Sequence, residues 1–281
     1  MPNNTVVHCG FNNERETNLI KRYADSYGLT YVWQGIKNDT FQSANSIKFA
    51  NFVVIWNGLQ HTALAVSRIC SMRGIPKCYI EWGMLSQSDH FFIDPCGFCG
   101  DSILNKDLSW INKQDIDKML EKRSELQSKY PISDEGYILV PLQIENDTQI
   151  LHHTKYNNMD DFVKDIENMY PNNTIIIKTH PNSTAKRSFD RAIISEERDF
   201  MTLASKASVV VGLTSTTLYE AGILGKKIVA IGNHPLRSNN SYDHDRVLAG
   251  ALVLNIKRDT GNLRSVLERF HIKPILPIVS E

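Results

Sequence analysis

The sequence predicts an α/β protein built of two Rossmann-like domains facing a cleft. Three observations predict it. Short apolar runs stop abruptly at polar residues, helical stretches alternate with those runs in both halves, and chemically useful side chains gather where the runs end. In open α/β sheets, ligands bind outside the carboxyl ends of the strands.

The first half reads as follows. Thr5 to Cys9 is a strand ending at Gly10, and Glu14 to Tyr27 is an amphipathic helix. Thr30 to Trp33 and Phe52 to Trp56 are the next strands, the latter ending at Asn57 and Gly58. Thr62 to Arg73 is a helix closed by Gly74. Lys77 to Ile80 is a fourth strand, ending at Glu81-Trp82-Gly83. Met84 to Leu108 has no clear period; a stretch this long inside a compact domain is usually functional or mobile. Within it, Asp94 and the Cys96–Cys99 loop are read as lining the cleft.

Lys113 to Lys129 is a charged helix, and Tyr130 to Gly136 reads as the linker between halves. The expected domains are therefore 1–130 and 136–281. Ile138 to Leu142 is a strand delivering Gln143, Glu145 and Asp147. Thr174 to Ile177 is another, delivering Lys178, Thr179, His180 and Pro181. Ala207 to Gly212 runs into Leu213-Thr214-Ser215-Thr216-Thr217 and a helix to Leu224. A Thr/Ser cluster at a helix start caps free N–H groups, and the same groups receive phosphate. Glu220 lies about one turn in, within reach of a ribose. Lys227 to Ile231 is a strand, the rhythm continues to about Phe270, and Pro274 and Pro277 mark an irregular tail.

Composition bounds the function. The chain has 281 residues, 42% hydrophobic and 22% charged, with zero formal net charge. No global basic field draws it to nucleic acid or anionic lipid. No apolar run approaches the ~20 residues that span a bilayer, and no signal peptide is visible. The five cysteines are an odd number, which points to reduced thiols and a cytoplasmic location. Cys96-x-x-Cys99 lacks a second ligand pair for structural zinc. Gly-x-Gly-x-x-Gly, the P-loop and Gly-x-Ser-x-Gly are all absent, which argues against dinucleotide binding, P-loop hydrolysis and α/β-hydrolase chemistry. No Asp-x-Asp stands near a strand end, so no metal and no cofactor are expected.

Three segments together carry a resemblance. They are Leu139-Val-Pro-Leu-Gln143-x-x-x-Asp147-Thr-Gln-Ile150, Ile177-Lys-Thr-His180-Pro181, and Val211-Gly-Leu-Thr-Ser215-Thr-Thr-Leu-Tyr-Glu220-Ala-Gly-Ile-Leu-Gly225-Lys-Lys. They resemble the capsule polysaccharide biosynthesis family, which includes bacterial β-Kdo transferases. Val54-Ile-Trp56-Asn-Gly58, Tyr79-Ile-Glu81-Trp-Gly83 and Ile93-Asp94-Pro-x-Gly97 extend the likeness to roughly residues 50–235. The chain departs from the family after Glu81-Trp-Gly83, where Met84-Leu-Ser-Gln replaces the usual nearby basic residue.

The resemblance implies a GT-B-like glycosyltransferase whose donor is a nucleotide-sugar, CMP- or UDP-linked. It implies that Asp147 stands beside the reacting sugar carbon and that Glu81 acts from the opposite domain. Gln143, Lys178, His180, Pro181, Thr214, Ser215, Thr216 and Glu220 are the implied nucleotide and phosphate contacts. Each has a plainer reading. Asp147 starts a helix well as an N-cap, Lys178 can be a surface lysine, and Glu220 can pair with Lys226 or Lys227. Trp56 and Trp82 either stack an acceptor or fill core, and core is the favoured reading. The expected acceptor is a surface glycan or glycolipid. DNA is the alternative, as in phage enzymes acting on hydroxymethylated bases, if Lys113, Lys118, Lys122 and Arg123, or Lys186, Arg187 and Arg191, form a basic face. A sugar-nucleotide epimerase or hydrolase of the same fold is the rival reaction class.

Overall fold

The computed structural model describes residues 4–11, 13–35, 47–237 and 244–276. Pro277, expected in the tail, lies outside them. In chain order the first elements are β1 (Thr5–Gly10), α1 (Glu14–Asp25), β2 (Thr30–Gly35), β3 (Phe52–Trp56), α2 (His61–Arg73), β4 (Lys77–Trp82) and β5 (His90–Asp94). Next come α3 (Lys113–Lys129), β6 (Tyr137–Pro141), α4 (Thr148–His153), α5 (Met159–Met169), β7 (Thr174–Lys178), β8 (Ile193–Ile194), α6 (Phe200–Lys206), β9 (Val209–Gly212), α7 (Thr217–Ile223) and β10 (Ile228–Ala230). The last are α8 (His244–Leu254), β11 (Asn255–Lys257) and α9 (Leu263–Glu268).

These elements form two compact units, 1–110 with 253–281, and 111–252. This differs from the expected division at 130/136 for two physical reasons. The charged helix α3 belongs with the second unit: its Arg123 donates to the Ile223 carbonyl at 3.1 Å and its Gln127 to the Leu224 carbonyl at 2.9 Å, capping the end of α7. The C-terminal stretch returns to the first unit, where β11 pairs antiparallel with β5.

Unit 1 holds a six-stranded sheet in the order β11-β5-β4-β3-β1-β2. β1 to β4 run parallel, with β5 antiparallel at their side. β3 is buried along its whole length, as a parallel strand covered on both faces must be. The order reverses between β1 and β3, which makes their carboxyl ends the switch point. β5 and two short 3-10 turns, Cys99–Asp101 and Ile103–Asn105, lie within the stretch expected to be irregular. Asp94 organises them. It is wholly buried, and its carboxylate accepts from the Cys96, Gly97 and Ile103 N–H groups and from Ser102 Oγ at 2.6 Å. The expectation that Asp94 lines a cleft is therefore corrected: the side chain ties its own loop together.

Unit 2 holds a five-stranded parallel sheet in the order β10-β9-β6-β7-β8. Helix α5 lays Phe162, Val163 and Ile166 on Ile138, Val140, Ile175 and Ile177 of β6 and β7. Each such fully buried side chain contributes roughly 1.5–3 kcal/mol. Here the order reverses between β6 and β9, so the switch point is where Gln143 and Thr214 emerge.

Candidate active site

The carboxyl ends of β6, β7 and β9 bring the sequence-predicted residues of unit 2 to one edge. Gln143 and Thr214 meet directly across the switch point. The Thr214 N–H donates to Gln143 Oε1 at 3.0 Å, and Gln143 Nε2 donates to Thr214 Oγ1 at 3.1 Å. Both residues are buried, so the pair fixes the spacing of the two strand ends. A satisfied buried amide is a rigid brace.

Asp147 is the N-cap of α4, accepting from the Gln149 N–H at 2.9 Å. It also stands near His180. Burial pushes the Asp147 carboxyl above its ordinary value, while the Gln149 N–H and the field of His180 pull it partly back. Burial lowers His180; Asp147 opposes that and Lys178 adds to it. The Asn182 N–H donates to His180 Nδ1 at 3.1 Å. That bond selects the neutral tautomer with its proton on Nε2, so the ring offers one N–H donor. Pro181 restrains the His180 backbone to an extended conformation. The arrangement is a half-buried carboxylate next to a neutral donor.

Lys178 ends β7 half-buried, its ammonium donating to the Thr179 carbonyl at 3.1 Å; burial and Arg198 lower its pKa. Glu145, delivered by the same loop as Asp147, is structural. Its carboxylate accepts from the Met159 N–H at 3.0 Å and from Arg187 at 2.8 Å.

The start of α7 differs in detail from expectation. Thr216 is its N-cap residue but makes no side-chain capping bond. Ser215 does that instead, its Oγ accepting from the Thr217 N–H at 3.2 Å and the Thr217 hydroxyl at 2.8 Å. Glu220 is half-buried within α7. Lys226, one of the two lysines read as possible partners for it, donates to the Ser133 and Ser205 carbonyls.

Two residues of unit 2 escaped sequence reasoning. His234, just beyond β10, is wholly buried against Tyr219, with ring centroids 4.6 Å apart. Its Nδ1 accepts from the Leu236 N–H, and burial pushes its pKa down to about 3. Gln149, part of the Asp147 motif, is also buried. Neither carries a spacing signal that separates it from an ordinary polar residue.

In unit 1, Glu81 lies at the end of β4 and accepts from Asn57 Nδ2 at 2.6 Å. Asn57 holds a left-handed backbone, φ 60°, and Gly58 follows at φ 89°. A Cβ on Gly58 would fall 2.6 Å from the Tyr79 ring, so the turn after β3 admits no side chain there. Trp56 is buried, as expected, but Trp82 is 38% exposed, which corrects its reading as core. The unpredicted pair is His8 and Glu16, wholly buried at 2.5 Å, with His8 Nδ1 also 3.0 Å from the Tyr31 hydroxyl.

The cations proposed for a DNA face are largely engaged. Arg187 bridges Glu145 and Asp160, and Arg191 donates to the Glu167, Tyr170 and Pro171 carbonyls. Lys122 pairs with Glu125 and Arg123 with Asp245, each at 2.7 Å. Among the described residues no group of three or more His, Cys, Asp or Glu side chains is placed to hold a metal ion. No described helix is long and apolar enough to cross a membrane.

Comparison with known proteins adds three findings. Residues 104–236 match the family model described as capsule polysaccharide biosynthesis protein. The capsule polysaccharide modification protein LipA of Neisseria meningitidis is 31% identical over 116 residues, 36% of this chain and 16% of LipA. Protein FixF of Sinorhizobium fredii is 23% identical over 209 residues, 64% of this chain and 48% of FixF. The matched region thus spans less than half the length of either relative. Among solved structures, the beta Kdo 2,7 transferase of Thermosulfurimonas dismutans KpsC aligns with TM-score 0.65 at 19% identity, covering 94% of this chain and 98% of that one. The beta Kdo 2,4 transferase of the same protein aligns with TM-score 0.62 at 15% identity, covering 86% and 89%. At these identities the structural likeness establishes the fold, which is the two-unit, Rossmann-like α/β class read from the sequence. Asp147, His180 and Ser215 all fall inside residues 104–236, the stretch that is similar to the capsule polysaccharide biosynthesis family model.

Proposed function

We propose that this chain is a glycosyltransferase moving a sugar from a CMP- or UDP-linked donor to a hydroxyl of a surface glycan or glycolipid. The observation that carries the reading is that the ends of β6 and β7 bring a half-buried Asp147 carboxylate close enough to a neutral His180 for each to feel the other's field. Glycosyl transfer passes through an oxocarbenium-like state. It needs a carboxylate near the anomeric carbon and donors on the departing phosphate. Asp147 supplies the carboxylate. His180, through its Nε2–H, and the N–H groups beside Ser215 supply donors to phosphate. Burial raises the electrostatic effect of each.

Glu81, on unit 1, serves as the base that takes the acceptor's proton. Its bond from Asn57 orients the carboxylate. A glycan acceptor fits better than DNA, because the arginines of the candidate basic stretches are already held by carboxylates and carbonyls. The mechanism uses no metal and no cofactor, and the reaction takes place on the cytoplasmic side.

The test is nucleotide-sugar turnover with and without acceptor. Release of CMP or UDP only when acceptor is present supports transfer. Conversion without acceptor points to an epimerase or hydrolase and removes the transferase reading.

A further inference from the structure

We propose that unit 1 carries an extended carbohydrate-acceptor subsite, an aromatic ledge formed by Trp82, Phe11 and Trp33 at the carboxyl margin of its sheet. This rests on the reading of Glu81 as the acceptor-side base.

Strand register puts Trp33, Trp56 and Trp82 on one face, and a ring contact places Phe11 beside them. His8 lies opposite both Trp33 and Val54, Trp56 lies opposite Ile80, and side chains alternate along each strand. Trp33, Trp56 and Trp82 therefore project to the same side. Phe11 follows β1 and meets Trp56 edge-on at 5.4 Å. Trp56 itself is buried and underlies the row, 4.8 Å from Trp82. The outer rings remain open: Phe11 is 52%, Trp33 41% and Trp82 38% exposed.

The ledge is rigid. Trp33 Nε1 donates to the Gly10 carbonyl at 3.2 Å. Trp82 stacks on Phe91, and the Arg258 guanidinium sits 4.3 Å from the Trp82 ring centre. Arg258 in turn donates to the His90 and Gln87 carbonyls. Asn255 binds the Met84 main chain in both directions, at 2.9 and 3.1 Å. A Cβ on Gly83 would collide with Asn255 and His90. The C-terminal return thus staples the turn that follows Trp82.

The chemistry selects the occupant. Fixed aromatic faces lose little entropy on binding and suit a ligand with one apolar face and a polar rim. A pyranose is such a ligand, its C–H face stacking while its hydroxyls stay outside. From β4 to β2 the ledge crosses three strand spacings, roughly 14 Å, which suits a chain of about two to three linked sugars. Single-stranded nucleic acid also stacks on aromatic rings, but it needs a cationic track beside them. Here Arg15 is held by the Ser88 carbonyl and Asp259, Arg22 by the Arg258 and Gly261 carbonyls, and Arg258 is buried.

The experiment measures binding of the full chain to an array of bacterial surface oligosaccharides and to the oligonucleotide dT12, with CMP affinity and Tm recorded on the same preparations. The wild type is expected to bind oligosaccharides, longer ones better than monosaccharides. Trp82→Ala and Phe11→Ala should each weaken that binding at least ~10-fold, as loss of a stacking contact does, with CMP affinity unchanged. Trp82→Phe should restore most of it. Phe11, more than half exposed, keeps the test independent of folding. No oligosaccharide binding, binding unaffected by both alanine variants, or a Trp82 dependence confined to dT12 would each overturn the ledge. A wild type that transfers sugar without any Trp82 dependence sinks the ledge alone. One that binds oligosaccharide through Trp82 yet turns over no nucleotide-sugar sinks the transferase reading alone.

Discussion

At the scale of single residues, the N-cap role and the catalytic role of Asp147 are compatible, and one substitution separates their consequences. Asparagine caps nearly as well as aspartate. Because burial raises the Asp147 pKa in the fold, the ionised form is a cost at neutral pH: its contribution favours folding below the ordinary carboxylate pKa and is lost as pH rises through the raised one. Asp147→Asn should therefore keep or raise Tm at pH 7 while turnover falls at least ~10²-fold; wild-type rates would leave Asp147 only a cap. His180→Ala should weaken nucleotide binding by ~1–3 kcal/mol in calorimetry if its Nε2–H meets phosphate. His234 gives a pH signature of its own. Its folded pKa of about 3 lies below the ordinary value, so its contribution is complete above pH ~6.5 and is lost as pH falls toward 3. Denaturant unfolding should lose about 1.4 kcal/mol per pH unit from this group through that window. His234→Gln should remove that slope, and an unchanged slope would assign it to other groups.

At the scale of elements, the strand ends were legible because each apolar run stops at a polar cluster. β4 illustrates both the success and the limit. Lys77 to Ile80 was visible, and Glu81 was recognised as its end, but pairing with β5 carries the strand on through Trp82. β5 was hidden because the surrounding glycines, prolines and aspartates read as loop. It forms by antiparallel pairing with β4 on one side and β11 on the other, partners that the sequence does not advertise, and Asp94 at its end ties down the loop that follows. The helix start at α7 was visible, but which hydroxyl caps it depends on backbone angles and not on residue type. Gln143 and Thr214 were found as candidates, although their mutual bonding across 71 positions is a tertiary fact. At this scale Glu81→Gln discriminates. An acceptor-side base predicts transfer falling steeply with nucleotide affinity and Tm nearly intact. A parallel loss of Tm, binding and transfer would make Glu81 a structural partner of Asn57.

At the scale of the whole molecule, two sheets share one chain unevenly. Unit 2 is continuous in sequence, whereas unit 1 recruits its edge strand from beyond unit 2. The linker expected at 130–136 was placed by its composition, Pro, Ser, Asp and Gly in a row, and composition marks a turn without saying which helix packs where. Deleting residues 253–281 should lower the unfolding midpoint of unit 1, which loses β11 and the Asn255 and Arg258 staples, and leave that of unit 2 nearly unchanged. Domain-resolved hydrogen exchange would show it; equal loss of protection in both units would refute the division.

That recruited strand has a temporal consequence. Domains commonly fold in the order in which a ribosome extrudes them, at ~5–20 residues per second. Every strand of unit 2's sheet emerges before β11 does, while β5 waits with one edge unpaired. The middle of this chain can therefore finish folding before its beginning, and an unpaired edge is a template for wrong partners until it is covered. Stalling the nascent chain just after Leu252 isolates that interval.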